Sequence, residues 1–319
     1  MANDRIRYIY HIDSVRIKKK ITVDEICNGI CSDRQYRKYL TGANNISDKK
    51  IMEFCNNLSI SARDFYYSLN EKDMYEYKQI RGLYYKLINK KYFEVTETLK
   101  NLSKITNLNK QNARFYEYCK IRFLYENRHL DKDAVHKKYS KIVNYPNCIK
   151  NNAFDFVDII TILCIAQIEI ELQIEDAMKL LIRILNDRNV LYLSAENKNI
   201  LPPIFSSVSI MLGKLEKYLE CIRVADEGVK YCIKYSLNKS LSRLYYSRAI
   251  SYKKLDFINK AEFNAALCFS NVLSRNNTKE TIYFFKLLSK DFKQDPFRLI
   301  NKNKDSFIQI SSNEKGPNS

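Results

Sequence analysis

Ser32-Asp33-Arg34-Gln35-Tyr36-Arg37-Lys38-Tyr39-Leu40-Thr41-Gly42 reads as one short helix with both ends marked. Ser32 is an N-cap residue, and Gln35 stands three places on, the spacing of a capping box. Gly42 closes the other end, where a left-handed residue is needed. Tyr36, Tyr39 and Leu40 follow helical spacing and face a core, whereas Asp33, Arg34, Arg37 and Lys38 point elsewhere. A short, capped, basic helix of this kind fits the major groove of DNA, so the stretch is expected to be the recognition helix of a helix-turn-helix.

The flanks agree. Thr22 and Glu25 form a second potential capping box, Val23, Ile26, Cys27 and Ile30 make one apolar face, and Gly29 marks the turn between two helices. Upstream, residues 5–20 carry Ile6, Ile9, Val15 and Ile17 among basic residues and read as a first helix. Downstream, Ser47 caps a helix with Ile51, Phe54, Cys55 and Leu58 on one side, and Ser61 caps a short segment through Phe65-Tyr66-Tyr67. From Thr22 to Phe65 the order resembles the lambda-repressor-like, Cro/C1-type DNA-binding domain. That resemblance implies base-reading positions at Asp33, Arg34 and Lys38, and phosphate-contacting positions at Gln35, Arg37, Thr41 and the backbone after Gly42. The sequence departs from the pattern in placing tyrosines at aliphatic core positions and Leu40 at a commonly polar one.

The 319 residues include only 6 Gly and 5 Pro, few for an all-β chain full of tight turns. The apolar periodicity is helical nearly throughout, so the fold class is expected to be all-α. Formal charge is +18, yet residues 1–70 hold 12 Lys+Arg against 8 Asp+Glu. Most of the excess therefore lies downstream, where a positive field suits nucleic acid, an acidic ligand or simply a lysine-rich surface. Nine cysteines occur without a Cys-x-x-Cys. An odd, scattered set with no apolar leader points to a reducing cytoplasm, with Cys27 and Cys31 one turn apart as the only pair suggesting redox sensing. No run approaches a membrane span; Phe156 to Ile170, the most apolar stretch, reads as a buried helix. Phosphate loops, nucleophile elbows and metal-spaced His/Cys clusters are absent, and the expectation is a protein that is not an enzyme and needs no cofactor or metal.

From about Glu71 the helices come in pairs. A three-position frame recurs as Val95, Leu99, Leu102; Val135, Tyr139, Ile142; Ala177, Leu181, Ile184; Cys221, Ala225, Gly228; and Ala261, Ala265, Cys268. Steps of four and three keep each set on one helix face, and their near-constant spacing is that of a helical solenoid. The small-residue pattern resembles tetratricopeptide repeats with a longer period. Pro202-Pro203 is expected to break the chain before a helix at residues 204–212, and Tyr145-Pro146-Asn147 to mark an inter-repeat turn. The expected domains are 1–69 for DNA binding, 70–300 for about five helix pairs, and 301–319 for a flexible tail.

A Cro/C1-type domain ahead of such repeats resembles the peptide-responsive quorum-sensing regulators of the Rgg/Rap/NprR/PlcR/PrgX group, and PlcR-type transcription factors most of all. Short supporting similarities are Gly29-Ile30-Cys31, Asp64-Phe65-Tyr66, Asn89-Lys90-Lys91-Tyr92 and Leu244-Tyr245-Tyr246-Ser247-Arg248. The resemblance implies a cytoplasmic homodimer bound to a palindromic double-stranded operator, with a short signalling peptide on the repeats altering that binding. It also implies a peptide site. In such repeats the first helix of each pair lines the groove, which selects Arg243, Tyr246, Ile250 and Lys253, and in an earlier repeat Lys120 and Asn127. The likeness to PlcR-type proteins adds Tyr66 and Lys90. The alternative reading is a helix-turn-helix regulator whose repeats sense a protein partner or redox state.

Overall fold

The structure is a computed structural model that describes residues 5–103, 108–151, 153–187 and 197–304. Among these residues the chain is helical and no strand is present. It divides into two compact units, the first running to Lys138 and the second from Tyr139.

In the first unit, α1 (Ile6–Lys18), α2 (Val23–Cys27), α3 (Asp33–Leu40), α4 (Asp48–Asn57) and the start of α5 (Ala62–Ile88) enclose one small core. Four N-caps form as expected. Thr22 and Glu25 make a full capping box, while Ser32, Ser47 and Ser61 each accept a backbone N–H from three residues on. Gly29 and Gly42 both adopt left-handed backbone, with φ of 73° and 74°. The core tyrosines fit because their polar ends are handled. Tyr36 is fully buried, its ring meeting Phe54 edge-on at 5.5 Å, and its hydroxyl donates to Asp13 Oδ1 at 2.9 Å. Asp13 in turn accepts from Arg16 Nε at 2.7 Å, so no buried polar atom of this trio lacks a partner.

One expectation is corrected. The segment capped by Ser61 is not short: α5 continues for 27 residues, through the expected 69/70 boundary. Its buried stripe serves two cores. Phe65 lies in the helix-turn-helix core, whereas Ile80, Leu83 and Leu87 are buried beside α6 (Tyr92–Leu102) and α7 (Lys110–Glu126). Polar contacts secure the changeover. Arg7 of α1 pairs with Asp73, His11 Nε2 lies 2.7 Å from Ser68 Oγ, and Asn112 of α7 donates to the Asp73 carbonyl at 2.9 Å.

Helix α8 (Lys132–Val143) spans the division. The second unit then continues with α9 (Phe156–Glu171) and α10 (Asp176–Asn186), α11 (Asn197–Lys214) and α12 (Tyr218–Lys234), α13 (Leu241–Lys254) and α14 (Ile258–Ser274), and α15 (Thr278–Phe292) and α16 (Pro296–Lys302). The five recurrent frames all fall on second helices of pairs, α6, α8, α10, α12 and α14. Their leading residues, Val95, Val135, Ala177, Cys221 and Ala261, have no exposed surface. Two further expectations change. Pro202 and Pro203 lie inside α11, which starts at Asn197. They leave the carbonyls of residues 198 and 199 without their usual helical N–H partners, so the interruption falls within the first two turns of α11 rather than ahead of it. Most of the expected tail lies outside the described residues, and its first two residues belong to α16.

The first helices α5, α7, α9, α11 and α13 end in the same way. Lys90, Arg128, Gln173, Glu216 and Asp256 sit at φ between 57° and 61°, and the next N–H bonds the carbonyl five residues back: Lys91 to Lys86, His129 to Leu124, Ile174 to Glu169, Lys217 to Leu212, Phe257 to Tyr252. This is the Schellman arrangement, made here without glycine.

Two outcomes follow for stability. A methyl group at Gly228 would meet Phe205 Cβ at 2.8 Å and Leu244 at 3.0 Å, because α12 approaches α11 and α13 closely there. Gly228→Ala should therefore lose about 1–3 kcal/mol in denaturant unfolding, against the gain of about 1 kcal/mol that helix propensity alone gives. His11 is pushed down to about 4, first by burial and then by Lys72 and Lys18. The unfolded chain binds that proton below about 6.5, so stability is whole above that pH and declines as pH falls towards 4, by up to about 3 kcal/mol. Thermal melts should show this decline in the wild type and a shallower one in His11→Gln.

Candidate nucleic-acid interface

The recognition-helix candidate, α3, is held at three points. Tyr36 and Tyr39 bury its inner face. Asn57 Nδ2 donates to the carbonyls of Ile26 and Asn28, both at 2.9 Å, fixing the turn that leads into it. Lys50 Nζ donates to Ile30 O at 3.0 Å in the same turn. With the inner face committed, helical geometry leaves one outer face. Arg34, Arg37, Lys38 and Thr41 are exposed on it, and Asp33 and Gln35 are half-buried at its start. Asp33, Arg34, Arg37, Lys38 and Thr41 line a single open recess. Gln35 stands outside this recess, its backbone N–H donating to Ser32 Oγ at 3.3 Å. The arrangement offers guanidinium and ammonium donors along one narrow ridge, the equipment for base edges and phosphates.

Asn57 and Lys50 are the supports that sequence reading missed. Each acts on a carbonyl 20 to 31 residues away, and no local pattern announces such a contact. Lys19 is similar: it donates to Leu58 O at 2.6 Å and so closes the domain.

The residues selected for a peptide fall in both units. Tyr66, Lys90, Lys120 and Asn127 belong to the first unit, and Arg243, Tyr246 and Lys253 to the second. Tyr66 packs at the edge of the helix-turn-helix core, 6.0 Å from the Tyr8 ring. Lys90 is at the far end of α5, about 36 Å along the helix from it, so the pair does not converge. Lys120 is exposed beside Glu117, and Asn127 spends its side-chain amide on Phe123 O at 2.8 Å. In the second unit, Tyr246 and Lys253 do converge, on Asp291 of α15. Tyr246 donates to its carboxylate at 2.6 Å and Lys253 to its backbone carbonyl. Burial and this acceptor hold the Tyr246 hydroxyl protonated. Both residues thus lock α13 to α15, and Arg243, exposed on the same face of α13, is left facing solvent.

Several thiols are held protonated by burial. Burial pushes Cys27 up to about 12, and Cys55, Cys148 and Cys232 up to about 11. A thiol held protonated is a poor nucleophile. Among the described residues no His/Cys/Asp/Glu group is placed to hold a metal, and no helix is long and apolar enough to cross a membrane.

No protein-family model and no curated protein matches the sequence. Solved structures do match in shape. Bacillus thuringiensis PlcR in its apo form aligns with a TM-score of 0.57 at 16% identity, over 85% of this chain and 98% of that one. The apo form of the competence regulator ComR from Streptococcus vestibularis aligns at 0.50 and 10% identity, over 90% and 99%. PlcR in complex with the peptide PapR7 and DNA gives 0.48 and 15%, over 92% and 99%. The chain therefore has the fold of PlcR and ComR, a helix-turn-helix domain followed by paired helical repeats.

Proposed function

We propose that this chain is a cytoplasmic, homodimeric transcriptional regulator that binds a double-stranded operator through α3, and whose repeats bind a short signalling peptide that alters operator affinity. The observation that carries the reading is the outer face of α3, where Arg34, Arg37, Lys38 and Thr41 stand exposed on a helix whose inner face is fully committed to the core. The fold shared with PlcR, a protein that binds the peptide PapR7 and DNA, supports the ligand part. Residues 1–69 supply DNA contacts and residues 70–300 supply the ligand-binding surface, with α5 common to both. Its role is regulatory rather than catalytic. In this reading Asp33, Arg34 and Lys38 read bases, and Gln35, Arg37 and Thr41 hold phosphates. The peptide must bind one arrangement of the paired DNA-binding domains better than the other, because equal affinity shifts nothing. The redox alternative is weakened by the raised thiols; a protein partner on the repeats is the version of it that stands.

The test is fluorescence anisotropy with the chain's own upstream DNA at fixed salt. Arg34→Ala and Lys38→Ala should each weaken binding about tenfold or more and relax preference at one base position, as loss of a base contact does. Arg37→Ala should weaken all sequences alike and flatten the salt dependence by about one phosphate's worth. Binding unchanged in the Arg34→Ala/Lys38→Ala double variant would sink the assignment.

For the repeats, Arg243→Glu should reduce the response of operator binding to small secreted peptides while leaving the melting temperature in place, since Arg243 is exposed. An unchanged response removes Arg243 from the ligand surface.

A further inference from the structure

Opposite its buried stripe, α5 turns large apolar side chains to solvent. Tyr67, Met74, Tyr75 and Tyr85 are 65, 55, 63 and 44% exposed. Glu71 and Lys78 are exposed among them, and Arg81 donates to Tyr85 Oη at 3.0 Å. At 3.6 residues per turn, Tyr67 and Tyr85 fall at the same angle around the helix, with Glu71, Met74, Lys78 and Arg81 within about 40° of them. The result is a stripe about 27 Å long in which Tyr67, Met74 and Tyr85 alternate with Glu71, Lys78 and Arg81, and large exposed apolar side chains gathered on one face mark an interaction surface.

The stripe is complementary to itself in one orientation only. About the level of residue 76 its order is Tyr67, Glu71, Met74 on one side and Tyr85, Arg81, Lys78 on the other, at equal steps. When a second α5 is laid antiparallel, with a twofold axis at that level, Tyr67 meets Tyr85, Glu71 meets Arg81, and Met74 meets the alkyl stem of Lys78. Each pair is made twice, as an isologous interface requires. A parallel pairing instead sets Glu71 on Glu71 and Arg81 on Arg81, which repel.

We propose that this face of α5 is the surface on which a second copy of the chain docks, antiparallel and about residue 76. The proposal rests on the homodimer of the functional reading and specifies where it forms. It also places the two DNA-binding domains usefully. They are attached where α5 begins, at Ala62, and the two Ala62 positions would lie about 42 Å apart along the paired helices, of the order of the 34–36 Å between half-sites one DNA turn apart.

Sedimentation of the full chain, without DNA, tests the pairing. The wild type should be a dimer at micromolar concentration. Glu71→Arg alone and Arg81→Glu alone should each weaken dimerisation about tenfold or more, with unchanged helical circular dichroism. The Glu71→Arg/Arg81→Glu double variant should regain most of the loss, a rescue that mere damage to the fold does not give. A monomeric wild type, single variants that dimerise normally, or a double variant no better than the singles would each overturn the proposal. Because dimerisation is read without DNA, a dimer that recovers in the double variant supports the pairing even if no operator is bound.

Discussion

Helix α5 belongs to two hydrophobic cores at once, and the first unit depends on that continuity. Its first turns close the helix-turn-helix domain through Phe65, and its last turns open the repeats through Ile80, Leu83 and Leu87. Between them Asp73 takes Arg7 of α1 by its carboxylate and Asn112 of α7 by its carbonyl. An uninterrupted helix has no loose joint, so a displacement of the first repeat is carried to the helix-turn-helix core as rotation of a rigid rod. Coupling of this kind needs no separate relay of side chains.

The same changeover explains why the sequence hides it. Residues 70–76, Asn-Glu-Lys-Asp-Met-Tyr-Glu, follow the expected domain boundary at 69/70 and carry few apolar residues to mark a core helix. In the fold they are the middle of a helix, where the stripe leaves one core before entering the next. Glu76 sits in that stripe almost wholly buried, with its carboxyl pushed up chiefly by burial. Local signals were legible wherever the physics is local. Caps at Thr22, Ser32, Ser47 and Ser61, left-handed glycines at 29 and 42, and the buried frames of the repeats all depend on neighbours within one turn or one helix face.

The candidate ligand residues were less legible because their partners are distant in sequence. Tyr246 and Lys253 look like free groove residues until α15 supplies Asp291, some 40 residues on. Tyr66 and Lys90 look adjacent to a junction until α5 proves to be one helix. The outer face of α3 had the opposite character. Once Tyr36 and Tyr39 are assigned to the core, 3.6-residue geometry alone dictates which side chains remain outside.

The glycine-free turns after the first helices bear on how such a chain can change over time. What recurs at Lys90, Arg128, Gln173, Glu216 and Asp256 is a backbone bond pattern, and five different side chains satisfy it. Residue identity is therefore nearly unconstrained at these positions, and the repeats can drift apart while their hairpins stay superimposable. The same closure follows α8 at Asn144 and α12 at Ser236, where the next N–H groups bond the carbonyls of Ser140 and Cys232. The turn between pairs is thus built like the turn within them, and the hairpins share a backbone pattern rather than a side-chain signature.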